Sequence, residues 1–347
     1  MNIFDLYTLA GIQRRIKTAP TFWLNEFYKR QINFDGKNIL FEKVYGDDRK
    51  LAPFVVPTAQ GRPQKLDGYE MDTFRPAYIK QKDVVDVTMH LERVAGEALG
   101  GTLTIDQRRN AVIAELLRRQ KVKITNTWNW LAARATIDGK VTIKGEDYPE
   151  VVVDFRRDAA LTKTLTGGAK WDQGTADPLA DLKESRIAAN ELSGARISRN
   201  IFGANAWELF AQRVDLKEMM NVNYGGQNTK VTLIADGYGD TLEYMGTIQG
   251  TSGQGKIECW VDTTRFVDAD GNEQYYLDQN TVVGVSDMMA GVRCFGAIMD
   301  ADAGYRPLDT FFKNWRENDP SVEYLLSQSA PLMVPAEPNA TYSIKVA

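Results

Sequence analysis

Residues 250–257, Gly-Thr-Ser-Gly-Gln-Gly-Lys-Ile, are the stretch of this chain that most resembles a phosphate-binding loop. Gly250, Gly255 and Lys256 fit the opening of G-x-x-x-x-G-K-[ST], in which backbone N–H groups cradle phosphates and the lysine reaches the terminal one. Ile257 stands where a hydroxyl would ligate Mg²⁺, and the following IECWVDTTRFV is strand-like where a helix N-terminus is required. The spacing therefore predicts a Gly-rich hairpin between two strands. Residues 268–278, DADGNEQYYLD, imitate a calcium loop, but the glycine comes two positions early and the closing Glu is missing. Asp270-Gly271 is instead a hairpin-turn dipeptide. His90, the only histidine, sits in the alternating run DVTMHLERV and reads as a strand residue rather than a triad member or metal ligand. Cys259 and Cys294 are too few for a disulfide scaffold or a four-cysteine zinc site, and are expected to be reduced and buried. Asp47-Asp48 and Asp300/Asp302 read as solvated turns. No catalytic, cofactor-binding or metal-binding residue is expected, and the chain does not read as an enzyme.

Something other than a reaction centre must then organise 347 residues, of which 43% are apolar and 25% charged. That composition supports a large core, in two or three compact units. No apolar run approaches the ~20 residues that cross a bilayer, and the first residues lack the apolar core of a signal peptide. No membrane partner is expected. Net charge is −4, which excludes a generic nucleic-acid binder, but the charge is unevenly spread. Residues 104–137 carry Arg108, Arg109, Arg118, Arg119, Lys121, Lys123 and Arg134 against Asp106 and Glu115. Residues 180–305 are strongly acidic. The basic run is either a solvated helix face or a surface for a polyanion.

The elements that would position these residues are legible to different degrees. Residues 1–36 read as an arm holding one short helix around Phe22, Trp23, Leu24, Phe27 and Tyr28, and residues 37–56 as strands. Residues 55–85 are irregular, with Pro57, Gly61, Pro63, Gly68 and Pro76, yet too apolar for a linker. They are either a long hairpin laid on a neighbouring chain or a hairpin packed on its own core. Residues 104–137 form the clearest element. Thr104 and Gln107 make a capping box, an apolar stripe runs from Ile105 to Ala135, and Asp138-Gly139 ends a helix about 50 Å long. A β-hairpin at 140–155, a helix from Pro178 to Ser193-Gly194, a helix capped by Asn205 with Glu208, and short strands between 230 and 285 follow. The mixture without βαβ alternation makes the fold class α+β.

The tail carries a resemblance. Asn314-Trp315, Asp319-Pro320 and the run Gln328 to Met333 resemble the C-terminal pattern of the lambda-like phage major capsid (head) protein family. DQNTVVG (278–284), RCFGAIMDADA (293–303, with Phe295 for the family's Tyr) and EKVYGDDRKLAPFVVPTAQG (42–61) are similar to further family segments. The likeness is weakest in the first 35 residues and between about 155 and 250. It implies the Hong Kong 97-type capsid fold: an N-terminal arm (1–36), peripheral-domain strands (37–54), an extended loop (55–85), a peripheral domain (86–175) with a spine helix (104–137), an axial domain (176–305) and a C-terminal return (306–347).

The resemblance also implies the work done. Copies would assemble as hexamers and pentamers of an icosahedral shell around packaged double-stranded DNA, in a virion assembled in the bacterial cytoplasm. The loop would reach the adjacent subunit through Leu66, Tyr69, Met71, Phe74 and Tyr78, with Arg62, Lys65 and Arg75 as charge partners. The spine helix would turn Arg108, Arg118, Arg119 and Lys121 toward DNA, without sequence preference. Some relatives weld subunits through Lys–Asn bonds, for which Lys65 is a loop amine. Lambda-like heads use a small decoration protein at three-fold positions instead, which is the expectation here, with a scaffold and portal during assembly. A phage tail or baseplate module is the alternative.

Overall fold

The computed structural model describes residues 21–36, 38–44, 69–85, 88, 103–145, 148–213, 242–249, 256–268, 270–319 and 321–347. The N-terminal part gives helix α1 (Phe22–Phe27) and strands β1 (Arg30–Asn33), β2 (Ile39–Val44), β3 (Tyr69–Phe74) and β4 (Ile79–Val85). The long helix α2 (Ile105–Asp138) follows, then a hairpin of β5 (Lys140–Gly145) and β6 (Tyr148–Asp154), and β7 (Thr162–Thr164). Helix α3 (Pro178–Ser193), β8 (Arg199–Phe202) and helix α4 (Ala204–Arg213) lead into β9 (Leu242–Gln249), β10 (Lys256–Asp262), β11 (Arg265–Val267), β12 (Glu273–Tyr275), β13 (Thr281–Val285) and β14 (Val292–Phe295). The tail supplies β15 (Phe311–Asn318), β16 (Ser321–Ser329), β17 (Pro331–Val334) and β18 (Thr341–Lys345).

These strands form a six-stranded mixed sheet in the order β7-β18-β13-β8-β10-β9. One three-stranded sheet is β1-β14-β17 and another is β15-β16-β4, while β2–β3, β5–β6 and β11–β12 stand as two-stranded ribbons. The tail thus contributes to three different sheets. Gly284 lies opposite Tyr342 across β13 and β18, and the Tyr342 ring occupies the space a Cβ would need. Leu161, Trp171, Leu182, Phe202, Phe210 and Tyr342 pack with α3 and α4 into one core beside the six-stranded sheet. A second core joins α1 and the C-terminal half of α2 to β14 and β17, where Trp128 meets Phe295 edge-on with centroids 5.0 Å apart.

Helix α2 begins as its sequence requires. Thr104 Oγ1 accepts from Gln107 N–H at 3.3 Å, and Gln107 Oε1 accepts from Thr104 N–H at 2.9 Å. Its burial is less even than the apolar stripe predicts. Ile124, Leu131 and Ala135 are buried, but Val112, Ile113, Leu116 and Leu117 are half-buried and Ile105 is 60% exposed. The first turns rest on the β15-β16-β4 sheet, whereas the turns after Gln120 run into the second core. Helix α4 starts at Ala204, so Asn205 lies inside it rather than at its cap. The capping acceptors come from Gln279, whose Oε1 receives Ala204 N–H at 3.2 Å and whose carbonyl receives Ala206 N–H at 2.9 Å. That contact crosses the fold and leaves no local trace in the sequence.

Gly139, at φ +67°, ends α2 in the left-handed conformation. Arg157 then closes the helix. Its guanidinium donates to the carbonyls of Thr136 at 2.9 Å and Ile137 at 2.7 Å, and to the hydroxyls of Thr162 and Thr341 at 2.8 and 3.3 Å. A cation at a helix C-terminus complements the macrodipole and the unpaired carbonyls together. Burial lowers the Arg157 pKa to about 10, against the opposing pull of Asp138 and Asp154, so the group stays charged at neutral pH. A Cβ on Gly139 would lie 2.8 Å from the Arg157 Cβ. Arg157→Met is expected to cost about 2–4 kcal/mol, because two buried carbonyls lose their donors. Gly139→Ala is expected to cost about 1–2 kcal/mol. Urea unfolding of the full-length chain checks both, as lowered midpoints with unchanged slope.

Candidate assembly surfaces

Strands β2 and β3 pair from Ile39↔Phe74 to Val44↔Tyr69, so the ribbon extends away from its root toward residues 45–68, which lie outside the described residues. At the root Ile39 is fully buried, and Phe74 meets Phe155 edge-on with centroids 5.9 Å apart. Tyr78 donates to Gln328 Oε1 at 2.5 Å and accepts from Met299 N–H at 3.0 Å. Phe74 and Tyr78 are therefore root residues, whose described contacts lie in their own subunit. Arg75 is exposed. Arg62, Lys65 and Leu66 lie outside the described residues, as do the side chains of Tyr69 and Met71.

The root is held by a residue that reads from the sequence as a solvated turn. The Asp300 carboxylate accepts from Gln328 Nε2 at 2.8 Å, from Asp302 N–H at 3.0 Å and from Lys313 Nζ at 3.2 Å. The Gln328 bond first, and Lys313 after it, hold its pKa below the ordinary carboxylate range. Asp300 thus joins β15, β16 and, through Gln328 and Tyr78, the start of β4. Asp302 is exposed as expected, although it also pairs with Lys313. Asp47-Asp48 and His90 lie outside the described residues.

The first turns of α2 are tied to the same sheet by polar contacts. Arg109 makes a two-point ion pair with Glu323, at 2.8 Å through Nε and 2.6 Å through Nη2. Asn314 Nδ2 donates to the same carboxylate at 3.1 Å, and Gln120 Nε2 donates to Asp83 at 2.8 Å. Arg109 is the main cause holding the Glu323 pKa low. Helical spacing puts Arg108, Glu115, Arg118 and Arg119 on the opposite face, with Lys121 at its margin. Arg118 and Arg119 both bond Glu115.

Of the residues read from the sequence as an arm, Phe22, Trp23, Leu24, Phe27 and Tyr28 are buried in the core of their own chain, while β1 is exposed and pairs with β14. Trp23 Nε1 donates to Asp262 at 2.8 Å, Asn129 Oδ1 accepts from Leu24 N–H at 3.0 Å, and Tyr28 bonds Thr136 at 3.1 Å. Arg293 donates to the carbonyls of Tyr28 and Leu24 at 2.6 and 3.2 Å, closing the C-terminal end of α1. Residues 1–20 lie outside the described residues.

The decoy motifs resolve structurally. Strands β9 and β10 pair from Lys256↔Gln249, as a hairpin requires, although 250–255 lie outside the described residues. Asp268 accepts from Asn272 N–H at 2.8 Å in a turn with Gly271 at φ +87°. Both cysteines are buried, and burial pushes each thiol up to about 12. Among the described residues no helix is long and apolar enough to cross a membrane.

The family model for phage major capsid protein E matches residues 5–346. The chain belongs to the phage major capsid protein E family. It is 28% identical over 346 residues to the major capsid protein of Escherichia phage lambda, covering 98% of this chain and 97% of that one. It is 26% identical over 353 residues to the major capsid protein of Enterobacteria phage P21, covering all of both. The crystal structure of a capsid protein from a prophage of E. coli CFT073 superposes with a TM-score of 0.71, at 25% identity over 98% of this chain and 97% of that one. The fold is thus of the Hong Kong 97 type, and this capsid-family chain is a structural protein of the virion rather than an enzyme. The tail pattern now has a physical meaning: Asn314 and Gln328 are polar fasteners of the sheet at the hairpin root.

Tyr78→Phe is expected to cost about 1–2 kcal/mol, since Gln328 and the Met299 N–H both lose a partner. Thermal or urea unfolding of the full-length chain checks it. Asp262 yields a pH prediction. Burial raises its pKa above the ordinary value, against the donors at Thr264 and Trp23 that favour the anion. The folded chain therefore holds this proton more tightly than the unfolded chain does, and stability associated with it falls as pH rises from the ordinary aspartate range through the raised value. Asp262→Asn loses about 1–3 kcal/mol at acid pH, where one of the two N–H donors meets an amide instead of an oxygen. Its deficit relative to wild type is expected to narrow as pH rises toward neutrality in urea titrations.

Proposed function

We propose that copies of this chain assemble as hexamers and pentamers of an icosahedral shell that encloses packaged double-stranded phage DNA. The observation that carries the reading is the end-to-end match to phage major capsid proteins, spanning residues 5–346. The physical chemistry of the β2–β3 ribbon supports it. A two-stranded ribbon is at best marginal alone in water. Ile39 and Phe74 anchor this one at its root, and among the described residues no third strand pairs with it. A sister subunit supplies the surface it lacks, with Arg62, Lys65, Leu66, Tyr69, Met71, Arg75 and the half-buried Phe74 and Tyr78 as contacts. Each well-buried aromatic or aliphatic anchor is worth ~2 kcal/mol, and obligate interfaces of ~2,000–5,000 Å² repeat throughout a closed shell.

The domain scheme is part of the proposal. Residues 176–305 gather as the axial domain around the five-fold and six-fold centres, residues 37–54, 86–175 and 306–347 form the periphery, and residues 1–36 and 55–85 are the arm and the extended loop. A scaffold and portal accompany assembly in the bacterial cytoplasm, and a small decoration protein binds at three-fold positions in place of covalent welding through Lys65. The face of α2 bearing Arg108, Arg118, Arg119 and Lys121 meets packaged DNA without sequence preference.

Replacing residues 45–68 by a short turn tests the reading. The expected variant keeps its circular-dichroism spectrum and lacks the rings and shells expected of the full-length chain in negative-stain imaging. Shells of normal size from the variant would overturn the loop's role, and a full-length chain that stays monomeric at every concentration would overturn the assembly reading. Denaturing electrophoresis of wild-type particles is expected to give one monomer band rather than a ladder.

A further inference from the structure

The exposed face of α2 is less simply basic than its composition suggests. Arg108 lies two helical turns before Glu115, and Arg118 and Arg119 lie one turn after it. All of them point away from Gln120 and Ile124, which are buried against the rest of the chain. Both oxygens of Glu115 are occupied. Arg118 Nε donates to Oε2 at 2.9 Å and its Nη2 to Oε1 at 3.0 Å, while Arg119 Nε donates to Oε1 at 2.9 Å. The two arginines, first Arg118, hold the Glu115 carboxyl down to about 2, so it stays ionised wherever the fold is stable. All these side chains remain in water, at 37% exposure for Glu115 and 43% and 45% for the arginines. One carboxylate therefore engages two guanidiniums at a partly exposed surface, where such pairs are held weakly.

We infer that Glu115 is a brake on polyanion binding: it engages Arg118 and Arg119 so that the pair offers a phosphate backbone one net positive charge instead of two. The inference rests on the proposal that this face meets packaged DNA, and adds how tightly. A phosphate reaching either guanidinium must displace the carboxylate or lie beside a like charge. Binding to a phosphate backbone follows counterion release, so log K falls with log salt by ~0.9 for each phosphate neutralised. Masking one charge lowers both affinity and salt dependence. The consequence suits a container, because a wall that grips every phosphate would hinder both the entry and the exit of a long polyanion. Lys121 and Lys123 flank the stripe on the next turn, and Asp106 lies at the far N-terminal end of the helix, which makes it the control for a change in overall charge.

Fluorescence anisotropy of a short DNA duplex with the purified full-length chain, between 50 and 200 mM salt, tests the inference with three variants. Glu115→Gln is expected to tighten binding about five- to tenfold at the low-salt end and to steepen the log–log slope by ~0.9. Asp106→Asn, the same charge change away from the arginine pair, is expected to move affinity less than about twofold, since its separation exceeds a Debye length of ~10 Å. The double variant Arg118→Glu with Arg119→Glu is expected to weaken binding and flatten the slope. If the arginine variant weakens binding and Glu115→Gln matches wild type, the brake is wrong while the DNA-facing reading stands. Equal gains from Glu115→Gln and Asp106→Asn would reduce the effect to net charge and also overturn the brake. If the arginine variant binds as wild type does, the DNA-facing reading of this helix fails, and the brake with it.

Discussion

Thr136 and Ile137 present the last unpaired carbonyls of a 34-residue helix to one half-buried guanidinium, that of Arg157. The rest of the subunit depends on that closure. The same guanidinium reaches Thr162 on the edge strand β7 and Thr341 on its neighbour β18 in the six-stranded sheet, so the helix end and the sheet are fixed against each other through one side chain. Around this junction the helix is apolar and buried, and Tyr28 bonds Thr136 within the same turn. Removing the cation would leave two oriented, largely desolvated carbonyls without donors, which is why the site tolerates a partly desolvated charge.

The opposite end of the helix is held by different physics. Arg109–Glu323 and Gln120–Asp83 are polar contacts to the sheet at the hairpin root, and the apolar residues of those turns are only half-buried. The subunit is therefore well packed at one end and held at the other by a few directional bonds. The hairpin springs from the weakly buried end. In the proposed shell that division would let the core stay fixed while neighbours order the surfaces they meet.

Much of this was legible in the sequence wherever the signal was local. The Thr104–Gln107 box, the Asp138-Gly139 stop and the Pro178 start all act within a few residues, and each gave the boundary observed. The Asp270-Gly271 turn is local in the same way. The misreadings share the opposite property. Asn205 looks like a cap, but Gln279, distant in sequence, supplies it. Asp300 looks solvated because its partners, Gln328 and Lys313, lie on other strands. Arg157 follows a hairpin with nothing nearby to mark it as the cap of a helix that ended many residues earlier. The aromatic cluster of residues 22–28 was visible, but its destination against Asp262, Asn129 and Arg293 was not. The tail pattern was recognisable by resemblance before its chemistry could be derived, and the structure supplies that chemistry through Asn314 and Gln328.

Amide hydrogen exchange, compared between the unassembled full-length chain and purified particles, tests the central claim most directly. If the β2–β3 ribbon completes its stabilisation on a sister copy, amides of residues 39–44 and 69–74 should exchange rapidly in the free chain and become strongly protected in the particle. Amides of the buried half of α2, residues 124–138, should be equally protected in both. Ribbon amides already as protected in the free chain as in the particle would contradict the account.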